Sequence, residues 1–336
     1  MTNLVFLFPG QSSRYPGMLG KLAALHPACA EVLARASDQL RRDLQRQYAA
    51  DNPEAYARNV DVQVGVFLAN EMMAALLAEA GVHAGFSLGL SLGEYNHLVH
   101  IGALSFTDAL TTVEARGHAY DDGPRGWMAS IQPMDHDDLV DALAEHPAGA
   151  RVEIVNLNSP RQNVIAGDPE AIQQIVAYLE DEHYQQPVII ERQVPMHASI
   201  FAPVGAAFRA HLEGVAFRRP RLPYLPNRLG RIVPSPTRED FVELLASHVH
   251  APVLWRASID HILEHVPKAL FIEVGGKQVL ANLLDRKWTK RPRFVTDSRD
   301  ETAHHLDVVF SALGVPFRLC GGPRPTQPDL PPPAPA

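Results

Sequence analysis

Ser91 is the residue whose setting most suggests chemistry. It lies in Gly89-Leu90-Ser91-Leu92-Gly93, after the apolar run Val82-His83-Ala84-Gly85-Phe86-Ser87-Leu88 and before Glu94-Tyr95-Asn96-His97-Leu98-Val99-His100. The first run has strand length and the second can continue as a helix. Strand, Gly-x-Ser-x-Gly, helix is the setting of a nucleophile elbow, in which a sharp turn lifts a serine hydroxyl above a sheet. Two glycines let the turn close and neighbouring backbone approach. The same turn aims the Leu92 N–H and the helix N-terminus at any oxyanion formed on Ser91. The plainer alternative is a Gly-rich strand-to-helix turn with a buried serine. Two further side chains invite attention. His197, in Val194-Pro195-Met196-His197-Ala198, could serve as a base; a lone His among 16 is more often structural, but this one follows the last strand of a subdomain, beside a cleft. Arg116 falls near the expected end of a helix closed by Gly117, where a cation ordinarily just complements the helix dipole.

The elements that must position these residues follow from hydrophobic pattern. Leu4-Val5-Phe6-Leu7-Phe8 reads as a buried strand ended by Pro9-Gly10-Gln11. The loop over 12–17 is of a kind that often carries ligand-facing N–H groups. Helical patterns cover 19–50 and 62–80. Ser105 with Asp108 resembles a helix start leading to Arg116. From Gly126 the pattern becomes strand (127–131), helix (137–145), strand (152–156), strand (162–167), helix (171–179) and strand (188–190). That order is the ferredoxin-like split motif, about seventy residues long, and it reads as an insertion in a larger α/β pattern. Beyond it come a helix over 203–212, Pro-rich chain over 220–236, a helix over 241–249, and a strand over 269–274 followed by Gly275-Gly276 and another helix. The last residues, 321–336, are too rich in proline to pack and read as a linker or tail.

Composition narrows the class. The 336 residues are 46% hydrophobic and 20% charged, which fits a soluble globular enzyme with a sizeable core. The net charge of −8 gives no reason to expect a nucleic-acid partner, and an acidic protein partner would need a local basic patch. Two cysteines, Cys29 and Cys320, exclude a disulfide framework and a Cys-based zinc site and fit a reducing cytoplasm. No metal-ligand cluster or phosphate-cradling motif appears. No run reads as long enough to span a membrane, and the start lacks the basic region of a signal peptide.

Taken together, the motifs resemble the malonyl-CoA:acyl carrier protein transacylase family, polyketide synthase acyltransferases included. Phe8-Pro9-Gly10-Gln11 is similar to its FPGQ start, and Gly89 to Tyr95 to its GHSLGEY elbow. Gly102-Ala103-Leu104-Ser105 and Val113-Glu114-Ala115-Arg116-Gly117 match the helix that carries a substrate-binding Arg. Asn158-Ser159-Pro160 with Val164-Ile165-Ala166-Gly167 resembles NSPxQxVIAG, Val194 to His197 falls at the catalytic His, and Glu273-Val274-Gly275 at EVGPG. The order is consistent from about Leu4 to Leu313.

The resemblance implies a hydrolase-like parallel-sheet α/β core (1–124 and 197–320), a ferredoxin-like subdomain inserted at 125–196, and an active site between them. It implies a Ser91–His197 dyad without a carboxylate, an oxyanion hole of the Gln11 and Leu92 N–H groups, and Arg116 as a clamp for the malonyl carboxylate. Leu90 and Met196 would line the acyl pocket, and His248 would orient the catalytic His mainly through its backbone. The implied substrates are malonyl-CoA and the phosphopantetheine thiol of an acyl carrier protein, with no other cofactor, no membrane and no nucleic acid. Three departures stand out: Leu90 where the family usually has His, His248 where it usually has Gln, and Ser12 where it has Gly. An apolar residue beside the nucleophile keeps open an acyl-thioester hydrolase that clears stalled carriers. A catalytically silent carrier-binding subunit is the third possibility, and intact Ser91, His197 and Arg116 weigh against it.

Overall fold

The computed structural model describes residues 3–317 and 319. The Pro-rich tail expected over 321–336 lies outside the described residues.

The chain runs β1 (Leu4–Phe8), α1 (Met18–Ala23), α2 (Pro27–Leu40), α3 (Leu44–Gln47), α4 (Asn59–Glu79), β2 (Phe86–Gly89), α5 (Gly93–His100) and α6 (Phe106–Asp121). It continues through β3 (Trp127–Ile131), α7 (His136–Glu145), β4 (Val152–Ser159), β5 (Gln162–Gly167), α8 (Pro169–Asp181) and β6 (Val188–Glu191). Then come α9 (Ala202–Leu212), α10 (Arg238–His248), α11 (Trp255–His265), β7 (Leu270–Glu273), α12 (Val279–Leu283), β8 (Arg293–Val295) and α13 (Thr302–Leu313).

Two sheets result, an α/β architecture with one parallel and one separate antiparallel sheet. The first is ordered β2-β1-β7-β8 and all its pairings are parallel. Parallel strands need helical crossovers, which cover both faces and make the strands apolar throughout; all five residues of β1 are buried. Leu4, Phe6 and Phe8 face the large core under α4, while Val5 and Leu7 face a second core with Trp255 and Ile259 of α11. The second sheet is antiparallel, ordered β4-β5-β3-β6. With β3 as first strand this is the order of the ferredoxin-like motif read from sequence. One face packs on α7 and α8 through Ala129, Ile131, Ile165 and Ile172. The alternate residues, Met128 and Ser130 among them, face a cleft against the first sheet.

Local chemistry revises several expectations. The single pattern over 19–50 is three helices. Pro27 starts α2 with the His26 side chain capping Ala28 N–H, and Arg41 ends it in the left-handed region at φ +52°. The strand before Ser91 begins at Phe86 rather than Val82, so 82–85 are connecting chain. Gly117 does not end α6. The helix continues to Asp121, and a Cβ on Gly117 would lie 2.4 Å from Val60 Cα of the crossing α4. Arg116 is therefore not a terminal cation. Lastly, α4 is long and apolar enough to cross a membrane by length and composition, contrary to the expectation. It is 83% buried inside the fold, which marks it as a central core helix.

Candidate active site

The elbow forms because β2 and α5 meet at two positions that only glycine can occupy. A Cβ on Gly89 would stand 1.9 Å from Gly93 O, and one on Gly93 would stand 2.0 Å from Phe8 O. Between them Ser91 adopts φ +51°, a conformation that costs a non-glycine residue about 1–3 kcal/mol and that surrounding contacts must hold. Asn227 supplies two of these contacts. Its Oδ1 accepts from Ser91 N–H at 2.9 Å and its Nδ2 donates to Gly89 O at 2.6 Å.

Ser91 Oγ lies 2.7 Å from His197 Nε2. His197 is also in the left-handed region, at φ +66°, with its N–H on Val249 O at 3.1 Å. Its Nδ1 donates to the main-chain carbonyl of His248 at 2.6 Å, which leaves Nε2 as the acceptor for the serine proton. Burial, then the nearby Arg116 guanidinium, hold the His197 imidazole down at about 3. The ring is thus neutral across the physiological range.

Arg116 is 1% exposed. Its Nη1 donates to Gln63 Oε1 at 2.7 Å and its Nη2 to Ser91 Oγ at 3.4 Å, and its charge lies over the Tyr120 ring at 4.4 Å. Among the described residues no carboxylate pairs with it within 4.0 Å. Its Nε and the Gln63 Nε2 also lack partners there. Such a buried cation with spare donors is prepared for an anion from outside.

Gln11 follows β1 at the start of a short 3-10 turn (Gln11–Ser13), and Leu92 precedes α5. Neither N–H meets an acceptor among the described residues. Leu90, Met196, Ser91 and His197 line one side of a cleft of about 1170 Å³, which Met128, Asn156, Asn158 and Gln162 line from the antiparallel sheet. His248 stands at the end of α10, 1% exposed, with its ring stacked on that of His197.

All eight residues singled out from sequence therefore lie on or directly behind one cleft. Four were missed as site residues. Gln63 was noted only as part of a helix and Glu94 only as part of a motif. Asn227 and Tyr224 fell in what read as Pro-rich connecting chain. Their only sequence signal is polarity within runs that are otherwise buried.

A neutral His on a strained serine, a buried unpaired Arg and two free N–H groups beside a deep cleft describe an acyl-transfer type of site. The comparisons agree. The acyl transferase domain family matches residues 5–302. The malonyl CoA-acyl carrier protein transacylase of Escherichia coli is 31% identical over 292 residues, 85% of this chain and 93% of that protein. Among solved structures, FabD from Acinetobacter baumannii superposes with a TM-score of 0.82 at 28% identity, covering 93% of this chain and 99% of that one. A malonyl-transacylase in complex with its holo type II polyketide acyl-carrier protein gives 0.83 at 27% identity, over 91% of this chain and 100% of that one. The chain belongs to the acyl transferase domain family and is an acyltransferase.

Proposed function

We propose that the enzyme moves a malonyl group from malonyl-CoA to the phosphopantetheine thiol of an acyl carrier protein, through an acyl-Ser91 intermediate, for fatty acid or polyketide synthesis. The observation that carries this reading is Arg116, a buried guanidinium 3.4 Å from Ser91 Oγ without a carboxylate partner among the described residues. A malonyl thioester bound with its carbonyl at Ser91 brings a carboxylate to that guanidinium, and a planar fork accepts it bidentately, as Lys could not.

The geometry supports the following steps. His197 Nε2 takes the Ser91 proton as Oγ bonds to the thioester carbonyl carbon. The Gln11 and Leu92 N–H groups receive the negative oxygen. The tetrahedral species collapses, the C–S bond breaks, and His197 returns the proton to the departing CoA sulfur. The carrier thiol then enters, gives its proton to His197, and attacks the acyl-serine by the same route. The His248 carbonyl keeps the imidazole in the required tautomer throughout, so fixing the tautomer takes no carboxylate.

The cleft suits a pantetheine arm: Asn156, Asn158 and Gln162 offer hydrogen bonds to its amides, and Arg14, Arg161, Arg286 and Lys287 add cations for phosphate and for an acidic carrier in a chain of net charge −8. We read 1–124 with 197–320 as the catalytic core and 125–196 as the subdomain that completes the cleft. With CoA thioesters as substrates and two cysteines in the chain, we infer that it acts in the cytoplasm.

Intact-mass measurement after mixing with malonyl-CoA tests the reading. The wild type gains one malonyl group, Ser91→Ala gains none, and His197→Ala loads at least ~10²-fold more slowly. A stable malonyl adduct on Ser91→Ala would remove the assignment.

A further inference from the structure

Behind Ser91 and His197 lies a buried polar cluster that the acyl-transfer steps above do not use. Glu94, in the first turn of α5, is 1% exposed. Its Oε1 accepts from the Tyr224 hydroxyl at 2.8 Å and its Oε2 from the Asn227 N–H at 3.2 Å. Asn227 is the residue that holds the elbow. The His248 ring brings Nδ1 to 3.3 Å from Glu94 Oε2, without the alignment of a hydrogen bond, and both of its ring nitrogens lack a partner among the described residues. That ring lies on the His197 ring, centroids 4.8 Å apart and planes at 26°. One carboxyl group thus touches both the segment that fixes the nucleophile and the ring that backs the base.

We propose that Glu94 and His248 form a positioning pair for the base, in which the ionised Glu94 carboxylate, acting through the stacked His248 ring, steadies the imidazolium that His197 becomes when it takes the Ser91 proton. The inference rests on the acyl-transfer reading of Ser91 and His197 but not on which acyl group is carried.

The physical need is plain. His197 must become a cation in a buried site that already holds Arg116, and like charge at that range opposes it. A carboxylate behind the ring offsets this, and a neutral carboxyl group does not. Glu94 faces Arg116 from α6, Arg228 and Tyr224 from the 220–236 segment, His248 from α10 and Tyr95 on its own helix. Burial outweighs the hydrogen bonds of Tyr224 and Asn227 and the pull of Arg116, and pushes the carboxyl up to about 7. Burial, with His197, Arg116 and Arg228, pushes His248 well below the ordinary imidazole value, so its ring is neutral. An inflection of the acylation rate near neutrality that Glu94→Gln abolishes is then the titration of Glu94, rather than of His197, which titrates far lower, or of Glu71 and Glu273, which are also pushed to about 7. The rate rises with pH, since only the ionised form stabilises the imidazolium.

The test is the rate at which a fluorophosphonate probe labels Ser91 between pH 5.5 and pH 8.5, a range that spans about 1.5 units on either side of neutrality. In that reaction Ser91 Oγ bonds to phosphorus, fluoride leaves, and the proton goes to His197. The probe carries no carboxylate. Loss of malonyl loading with normal labelling would therefore count against the malonyl reading alone. The wild-type rate should rise about 10-fold with its midpoint near pH 7. Glu94→Gln should remove the rise and hold the rate at the low-pH value. Tyr224→Phe, which deletes a hydrogen bond to the carboxylate, should move the midpoint to higher pH. His248→Gln keeps the carbonyl but not the ring, and should lose most of the rise. If Glu94→Gln does not fold, the other two variants carry the test. A flat wild-type profile, a Glu94→Gln profile lowered evenly with the same midpoint, or an unmoved midpoint in Tyr224→Phe would overturn the proposal.

Discussion

Ser91 can give up its proton only to a neutral imidazole, and burial keeps His197 neutral at any pH near 7. Arg116 is buried too, and its direct partners are Gln63, Ser91 and aromatic rings, with no carboxylate within 4.0 Å among the described residues. These facts assign the two residues different consequences. Arg116→Ala should slow malonyl loading by about 10- to 150-fold and keep or raise acetyl loading, because a charge-assisted bidentate pair worth about 1.5–3 kcal/mol is lost only where the substrate has a carboxylate. Initial loading rates on both acyl-CoAs check this, and an equal loss on both would make Arg116 a structural cation. At this scale the sequence was informative about Ser91 because the elbow glycines are local in the chain. It was less so about Arg116, whose helix runs on past Gly117. Tyr224 and Asn227 were illegible, since each acts on residues more than a hundred positions away.

The strand-elbow-helix unit is held from outside itself. Gly89 and Gly93 permit the turn, but Asn227 fastens it by pairing the Ser91 N–H and the Gly89 carbonyl, both buried. Asn227→Ala leaves those two groups unpaired, at about 1–3 kcal/mol each, so the melting temperature should fall and Ser91 acylation should slow. Unchanged stability and loading would show that the elbow holds itself. Other elements are fastened similarly. The Glu273 carboxylate accepts from the N–H groups of Val279, Leu280 and Ala281 and so anchors the start of α12, a role the motif at Glu273 did not reveal. α8 and the four strands of the antiparallel sheet were readable from their hydrophobic period, and α4 from its length and apolar content, since it is buried on every side. The breaks at His26 and Arg41 were not, because they depend on capping and on one left-handed residue rather than on hydrophobic period. The elements α11, β8 and α13 were unread. α11 carries a helical period in Trp255, Ile259, Ile262 and Val266 that went unread, whereas the three residues of β8 are too few to show a period.

Across the whole molecule, buried titratable groups of both kinds set the response to acid. Glu71, Glu94 and Glu273 are pushed by burial to about 7, so their contribution is full below about 4.5 and is lost as pH rises to 7. His97 and His197 are pushed by burial to about 3 and His100 to about 4. Their contribution is full above 6.5 and is lost as pH falls. The two sets oppose each other between pH 4.5 and 6.5, and below 4.5 the histidines act alone. His248 is also held well below the ordinary imidazole value, so four histidines oppose three carboxyl groups, and calorimetric melting temperatures should fall gently between pH 6.5 and 4.5 and steeply below it. A maximum near pH 4 would contradict the assignment. The antiparallel sheet was legible because β-α-β-β-α-β order is written along the chain, the parallel core and the site between the two came with the family resemblance, and the cleft's polar wall depends on how β3–β5 face Ser91 in space. The central claim joins all three scales: the cleft must admit a carrier arm, the elbow must present the ester, and Arg116 must hold its carboxylate away from water. Single-turnover discharge of malonyl-Ser91, with and without a holo acyl carrier protein, tests it most directly. The account predicts a malonyl-enzyme that persists for minutes alone and discharges rapidly when the carrier thiol is added. Rapid release without carrier, faster for acetyl or longer chains than for malonyl, would contradict it and make the protein a hydrolase.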